Sequence, residues 1–178
     1  MTTVEVLPAE KFLRRRHVPY EIAPHREAYT SAAEAYALGI PPSDVLKVVV
    51  LRSAVDYMIA VIPASARLDL HRMQSLTDDK HLRLATEAEI RRRFPLFELG
   101  AVPPMPSLLG LPAYVDPSVL EHESVAFADG KQTESMIANP RELLWGEPVF
   151  VADICERAHP TEGWRFEADP VRVPEGAR

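Results

Sequence analysis

The sequence predicts an α+β fold built on a curved, mostly antiparallel sheet with short helices on its flanks. Apolar stretches of strand length recur with turn residues between them, and short helices with recognisable caps interrupt the series. The strands follow one another too closely for a regular alternation of parallel strands and crossover helices. A doubly wound sheet is therefore not expected.

Five short helices are predicted from capping residues and apolar periodicity. Pro8 suits the first position of a helix, where no backbone N–H is needed. Thr30 followed by Glu34 has the pattern of an N-cap with its acidic partner, and Thr86 opens a later helix in the same way. Gly39 is expected to end the second helix. The predicted helices span residues 8–16, 30–38, 69–76, 86–93 and 139–144.

Eight strands are predicted from apolar, β-branched runs between turn residues. The run at residues 45–51 is expected to pair with residues 57–62 across a short turn. Asp129-Gly130 lies between two apolar runs and indicates a hairpin or a close relative of one. The predicted strands span residues 18–22, 45–51, 57–62, 82–84, 113–115, 125–128, 133–137 and 147–151. Residues 98–111, which contain two glycines and three prolines, are predicted to be irregular.

Composition favours one globular domain. The chain has 178 residues, of which 47% are hydrophobic, so it can bury a sizeable core. It shows neither a signal-peptide pattern nor an apolar stretch of about 20 residues that could cross a bilayer. Cys155 is the single cysteine and cannot form an internal disulfide. We therefore expect a cytoplasmic protein that does not contact membranes.

Charge is unevenly distributed along the chain. The net charge of −6 argues against nonspecific coating of nucleic acid. Residues 1–95 hold 14 Lys and Arg against 12 Asp and Glu, whereas residues 96–178 hold 6 against 14. A polyanion is therefore expected to approach the N-terminal half, although its two Arg triplets also fit solvated helix faces.

Lys47 interrupts an otherwise apolar strand. The run Val45-Leu46-Lys47-Val48-Val49-Val50-Leu51 is typical of a strand whose two faces are both covered. A buried ammonium without a partner is costly. Lys47 is therefore expected either to extend its amine to water from a strand end, or to face an anion or carbonyl in a cleft.

The segment Gly100-Ala101-Val102-Pro103-Pro104 is a second candidate. Two prolines stiffen this loop, and glycine allows a ligand to approach the main chain closely. Its backbone groups could thus be fixed before a ligand arrives. A structural turn that leads into the next strand is an equally good interpretation of the spacing.

Common catalytic signatures are missing from the sequence. It has no phosphate-binding glycine loop, no dinucleotide fingerprint, no H-E-x-x-H motif and no nucleophile elbow. The six histidines are dispersed, so neither a metal nor a cofactor is expected. Cys155 and His159 lie four residues apart and could act as nucleophile and base, but they have no evident third partner.

These features together resemble the YbaK/ProX family of aminoacyl-tRNA deacylases, which includes the editing factors associated with prolyl-tRNA synthetase. The likeness covers about residues 8–145. The matching segments occur in order: Tyr20 with His25, Ser31-Ala32-Ala33-Glu34-Ala35, Leu38-Gly39-Ile40, Val45-Leu46-Lys47-Val48-Val49-Val50, Leu68-Asp69-Leu70, Leu84-Ala85-Thr86-Glu87-Ala88-Glu89, Gly100-Ala101-Val102-Pro103-Pro104, Tyr114-Val115-Asp116 and Phe127-Ala128-Asp129-Gly130.

The resemblance implies a barrel-like sheet in a mixed fold and hydrolysis of the ester that joins a wrong amino acid to tRNA. It places the deacylase domain at residues 1–150 and leaves residues 151–178 as a partly irregular extension. It implies that Lys47 is the residue most closely tied to activity. It also implies that the G-x-x-x-P loop holds the aminoacyl end, and that neither a metal nor a side-chain nucleophile takes part.

Candidate site residues follow from the resemblance. Lys47, Gly100 and Pro104 are expected to be catalytic. The substrate-binding candidates are Tyr20, His25, Ala101, Val102, Pro103, Asp129 and Gly130. A packed or solvent-facing His25, and a plain hairpin turn at Asp129-Gly130, are the structural alternatives. The expected partner is the acceptor end of an aminoacyl-tRNA, with an aminoacyl-tRNA synthetase or another delivery protein as a further candidate.

Two other functions stay open at this point. The same scaffold could bind an aminoacyl-tRNA or a small ligand without hydrolysing it. Alternatively, Cys155 could support a hydrolase or redox activity.

Overall fold

Two sheets organise the protein. The computed structural model describes residues 8–156, which contain six α-helices, two 3₁₀ helices and eight strands. The α-helices are α1 (Pro8–Arg15), α2 (Ser31–Leu38), α3 (Leu70–Thr77), α4 (Glu87–Arg93), α5 (Pro106–Leu109) and α6 (Pro140–Leu144). The 3₁₀ helices are Pro42–Asp44 and Pro117–Glu121. The strands are β1 (Glu21–Pro24), β2 (Leu46–Arg52), β3 (Tyr57–Pro63), β4 (Arg83–Leu84), β5 (Ala113–Val115), β6 (Val125–Ala128), β7 (Glu134–Ala138) and β8 (Val149–Val151).

The larger sheet has the order β4-β2-β3-β5-β8, and the smaller one has the order β1-β7-β6. The β2–β3 pair is antiparallel, with Lys47 opposite Ile62, whereas β5 pairs in parallel with both β3 and β8. A parallel bridge between Val45 and Ala126 links the two sheets. The α+β class and the mostly antiparallel pairing are thus confirmed, but the described strands form two sheets and do not close into a barrel.

Local sequence signals explain most helix ends. The Thr30 side chain accepts a hydrogen bond from the Ala33 N–H, and Gly39 ends α2 with a φ of 69°. Thr86 and Glu89 form a complete capping box at the start of α4. The Asn139 side chain caps α6 by accepting hydrogen bonds from the Arg141 and Glu142 N–H groups. Because these signals are local, the sequence predicts the helices well.

Two predictions about elements need correction. The strand expected at residues 18–22 begins only at Glu21, because its partner β7 ends at Ala138 and the chain then turns into α6. The segment predicted to be irregular contains α5, which starts at Pro106 and ends before a left-handed Gly110.

Hydrophobic residues cover both faces of β2. Leu46 and Val50 belong to the largest core cluster, which also holds Phe127 from the smaller sheet. Leu51 belongs to a second cluster, which contains Met73 of α3. Since side chains alternate along a strand, Lys47 lies on the same face as Leu51.

Candidate functional site

Lys47 faces a main-chain carbonyl. Its side chain is half-buried, and Nζ donates a hydrogen bond of 2.6 Å to the Ala66 carbonyl oxygen. Burial lowers the pKa of Lys47, because the ammonium loses hydration, and the Arg67 charge acts in the same direction. Lys47 forms no ion pair with a carboxylate within residues 8–156. Its charge is thus fixed in position without an acidic partner in the described chain.

The segment that follows β8 lies beside Lys47. Leu68 and Cys155 form an antiparallel bridge, and the Asp69 N–H donates to the Ile154 carbonyl at 2.8 Å. The predicted boundary at residue 150 falls inside β8. The described part of the extension, residues 151–156, therefore packs on the domain.

Cys155 is poorly suited to be a nucleophile. Burial raises the pKa of its thiol to about 12, and a hydrogen bond to the Asp116 carboxylate acts in the same direction. The reactive form of cysteine is the thiolate, which is scarce at neutral pH when the pKa is so high. The predicted partner His159 lies outside the described residues.

The loop Gly100–Pro104 packs tightly against the chain. Residues 101–104 are buried, and Val102 belongs to the largest core cluster. Gly100 has a φ of +82°, and a Cβ added there would lie 2.6 Å from the Tyr29 carbonyl oxygen. Within residues 8–156, the N–H groups of Gly100 and Val102 donate to no acceptor. The loop therefore needs glycine at its first position and has two N–H groups that no described residue uses.

The turn Asp129-Gly130 is joined to this loop. The Glu98 N–H donates to the Gly130 carbonyl at 2.9 Å, and the Gln132 side chain donates to the Leu99 carbonyl at 2.8 Å. A Cβ added at Gly130 would lie 2.8 Å from the Phe97 ring. Close packing thus holds the turn against the chain just before the loop.

Asp129 itself is fully buried. Burial raises the pKa of its carboxyl to about 6, while the hydrogen bond that it accepts from the Lys131 N–H at 3.0 Å opposes this rise. The Asp129 carboxyl therefore takes up a proton at a higher pH than an exposed aspartate does.

Tyr20 contacts the first helix. Its hydroxyl donates to the Glu10 carboxylate at 2.8 Å and accepts from Arg14 Nε at 2.8 Å. These contacts tie α1 to the segment before β1.

His25 takes part in a network that the sequence did not predict. Its Nε2 lies 2.9 Å from Ser135 Oγ, and its Nδ1 lies 2.8 Å from the Arg26 carbonyl oxygen. The Ser135 hydroxyl contacts the Glu34 carboxylate in turn. Glu34 therefore does not complete the capping pattern expected for α2, because its carboxyl points to β7.

The structure brings most of the predicted residues into one region. The His25 N–H donates to the Thr133 carbonyl and the Ala28 N–H to the Gln132 carbonyl, both at 2.8 Å. Segment 25–30, the loop and the turn are thus joined. No hydrogen bond within residues 8–156 joins Lys47 to the loop, and Val102 packs with residues on the opposite face of β2.

Comparison with known proteins identifies the family. Residues 25–144, which are more than half of the chain, match the aminoacyl-tRNA editing domain. The chain belongs to this editing domain family. No curated protein sequence matches it.

Solved structures agree with this assignment. A proposed trans-editing enzyme for prolyl-tRNA synthetase is 28% identical, with a TM-score of 0.70, and the match covers 84% of this chain and 96% of that one. The hypothetical protein APE2540 is 25% identical, with a TM-score of 0.75, and the match covers 84% of this chain and 99% of that one. A proposed signal transduction protein from Marinobacter aquaeolei VT8, 21% identical with a TM-score of 0.62, shares the fold over 84% of this chain and 30% of its own. The resemblance to YbaK/ProX proteins is confirmed.

One cavity of this editing domain lies away from the predicted residues. An apolar groove of about 340 Å³ is lined by residues of β5, α6 and β8 and by Trp145. None of the candidate site residues lines it. The groove is therefore separate from the candidate site.

Two further properties concern only residues 8–156. No group of three or more His, Cys, Asp or Glu side chains in this range could hold a metal ion. The helices there are too short or too polar to cross a membrane.

The sequence contained one overlooked signal in this editing domain. Glu34 lies four residues before Leu38, which packs on a third small core cluster, so the two side chains share the side of α2 that faces the protein. A carboxyl on a buried helix face is costly unless it is protonated or hydrogen-bonded. That cost could have predicted a partner for Glu34, although not that the partner is Ser135.

Proposed function

We propose that this protein is a trans-acting aminoacyl-tRNA deacylase, which hydrolyses the ester between a wrong amino acid and tRNA without a metal. The chain contains an aminoacyl-tRNA editing domain, and aminoacyl-tRNA is the substrate class that this family implies. The observation that carries the finer proposal is the Lys47 ammonium, which a carbonyl orients and no carboxylate within residues 8–156 neutralises. Such a cation suits an anionic substrate group.

Lys47 and the loop are assigned different parts of the substrate. They lie on opposite faces of β2, so one atom of the ester is a poor common target. In this proposal Lys47 binds the 3′-terminal phosphate. The N–H groups of Gly100 and Val102 bind the aminoacyl carbonyl and stabilise the negative charge that develops on its oxygen.

The reaction needs no protein nucleophile. An aminoacyl ester is already activated, so correct positioning of a water molecule supplies much of the rate. The vicinal ribose hydroxyl assists the attack of this water on the carbonyl carbon. A C–O bond forms to the water oxygen, the ester C–O bond breaks, and a proton passes to the ribose oxygen. The products are the free amino acid and the tRNA with its terminal hydroxyl restored.

Contact with tRNA is proposed to be limited to the acceptor end. The net charge of −6 does not favour a grip on the whole tRNA body. A synthetase or another delivery protein would then present the mischarged tRNA. The cytoplasm, where charged tRNA is used, is the proposed location.

Deacylation of a panel of mischarged tRNAs tests this proposal. Lys47→Ala should lower the rate at least a hundredfold while thermal unfolding stays cooperative, since the lysine contributes one hydrogen bond to the fold. Lys80→Ala is the matched control, because it removes the same charge from an exposed site and should keep the rate.

Full activity of Lys47→Ala would remove the proposed role of the lysine. Tight binding of a mischarged tRNA by the wild-type protein without turnover of any panel member would instead identify a binding module.

A further inference from the structure

Three side chains from three elements form one hydrogen-bonded chain. His25 follows β1, Ser135 lies in β7 and Glu34 lies in α2. Ser135 is 0% exposed and Glu34 is 5% exposed, whereas His25 is half-buried. The contacts run from the Arg26 carbonyl through both ring nitrogens of His25 to the serine hydroxyl and the glutamate carboxyl.

The three contacts need one proton more than a neutral histidine, a serine and an ionised glutamate supply together. Three contacts require three hydrogens, one in each. The Arg26 carbonyl can only accept, so Nδ1 of His25 must carry a proton, and the Ser135 hydroxyl supplies a second. The third must come from a protonated Glu34 or from a doubly protonated His25.

These two possibilities differ only in where one proton lies. With Glu34 protonated, its carboxyl donates to Ser135 and the serine hydroxyl donates to Nε2 of a neutral His25. With His25 protonated, Nε2 donates to Ser135 and the hydroxyl donates to the Glu34 carboxylate. Loss of the proton leaves two hydrogens for three contacts, so one contact becomes a repulsion between lone pairs.

The surroundings of Glu34 favour keeping this proton. Burial raises the pKa of Glu34, while the Ser135 hydrogen bond and the His25 charge lower it to a smaller extent. Ala35 and Leu38, which follow Glu34 in α2, pack in an apolar cluster that also contains Val45.

The charged side chains next to His25 and Ser135 in the sequence make contacts outside this hydrogen-bonded chain. The Arg26 guanidinium lies over the Tyr36 ring, 5.6 Å from its centroid. The Glu27 carboxylate lies near the Tyr29 hydroxyl and raises the pKa of Tyr29. Glu134 projects from the opposite face of β7, where it binds Lys131 at 2.9 Å.

We infer that Glu34, Ser135 and His25 share one proton, and that this proton holds segment 25–30 in the position at which Tyr29 supports the Gly100 loop. The segment joins the two features directly, since it begins at His25 and ends where the Tyr29 carbonyl meets Gly100. Glu34 and Ser135 are thereby positioning residues. Their effect on catalysis rests on the proposed deacylase function, but the shared proton does not.

The direction in which pH changes the stability of the network follows from the pKa of Glu34. In the unfolded chain a glutamate has a pKa of about 4.3, so it is ionised at neutral pH. Folding raises the pKa of Glu34, so the stabilisation that comes from a protonated Glu34 is fully present below about pH 4.3. Its contribution is lost as the pH rises through the higher pKa of the folded state.

NMR titration of the side chains tests the shared proton without any substrate. In the wild-type protein the NMR signals of the His25 ring nitrogens and of the Glu34 carboxyl carbon should change together over one pH range. Ser135→Ala should uncouple them, so that the two signals change independently of each other. Ser75→Ala, which removes a hydroxyl from an exposed part of α3, is the control and should leave the coupling intact.

Glu34→Gln provides a second variant that should fold. A glutamine amide donates to Ser135 as a protonated carboxyl does, so the network keeps its three hydrogens at every pH. The His25 nitrogens should then lose the coupled transition. Identical His25 titrations in the wild type, Ser135→Ala and Glu34→Gln would overturn the inference.

Deacylation assays test the positioning role separately. Wild-type kcat should fall on the alkaline side, Ser135→Ala should lower kcat about tenfold or more, and Glu34→Gln should flatten the alkaline limb. An unchanged alkaline limb in Glu34→Gln would refute the positioning role. If neither the wild type nor either variant hydrolyses any mischarged tRNA of the panel, the proposed function fails. The NMR titration still decides whether the proton is shared.

Discussion

Substitution of Gly100 by alanine gives a sharp test of the loop geometry. Gly100 has a φ of +82°, and the added Cβ would lie 2.6 Å from the Tyr29 carbonyl oxygen. A left-handed φ costs a residue other than glycine about 1–2 kcal/mol. The contact adds a second cost, since carbon and oxygen normally approach to about 3.3 Å, so backbone must move by roughly 0.7 Å. Overpacking of this kind costs about 1–3 kcal/mol.

Gly39→Ala is a matched control for the backbone term. Gly39 has a φ of +69°, and a Cβ added there would meet nothing within 4 Å. In both variants alanine must adopt a left-handed φ, and in both it lowers the conformational entropy of the unfolded chain equally. These two free-energy contributions therefore cancel when the variants are compared. Gly100→Ala should therefore destabilise the protein by about 1–3 kcal/mol more than Gly39→Ala.

Thermal and urea unfolding measure this difference. For a chain of this size, each kcal/mol lowers Tm by about 2–4 °C, so the Tm values of the two variants should differ by about 2–12 °C. The deacylation rate of Gly100→Ala should also fall, while Gly39→Ala keeps it, because Gly39 lies at the end of α2. Equal unfolding curves for the two variants would refute the close approach of Tyr29 to the loop.

Three further predictions concern single side chains. Asp129→Asn should keep the contact with the Lys131 N–H and remove a pH dependence of stability. Because the folded pKa of Asp129 is about 6, the wild type should lose up to about 3 kcal/mol of unfolding free energy as the pH rises from 4 to 8. Urea unfolding across that pH range would detect this loss in the wild type and its absence in the variant. Cys155→Ser should retain deacylation, because a thiol with a pKa of about 12 is not the nucleophile, and an abolished rate would contradict this. Thr86→Ala should cost about 1 kcal/mol in unfolding free energy by opening the capping box of α4, and an unchanged Tm would argue against that box.

The sequence predicts those parts of the fold that depend on neighbours along the chain. Thr30 and Thr86 each cap a helix within three residues, and Gly39 ends one through its own φ. The β2–β3 hairpin follows from two apolar runs and a short turn. Each of these signals lies in a window shorter than a helix, so a single sequence contains it.

Contacts between distant segments could not be predicted in this way. The Ser135 contacts to Glu34 and His25 span 101 and 110 residues, and they depend on the register of β1 against β7. A shift of one residue in that register would turn Ser135 to the other face of the sheet. Family resemblance could suggest His25, but neither composition nor spacing shows which side chain it meets.

The division into two sheets explains why the candidate site depends on long-range packing. Lys47 is anchored in the larger sheet, whereas segment 25–30 and the Asp129 turn are anchored at the ends of the smaller one. The loop connects them, because Val102 packs in the cluster shared by both sheets while Gly100 contacts Tyr29. A change that moves one sheet against the other therefore alters the distance between Lys47 and the Gly100–Pro104 loop. Substitutions far from any substrate atom, such as those at the β1–β7 pairing, should for this reason affect catalysis more than they affect stability.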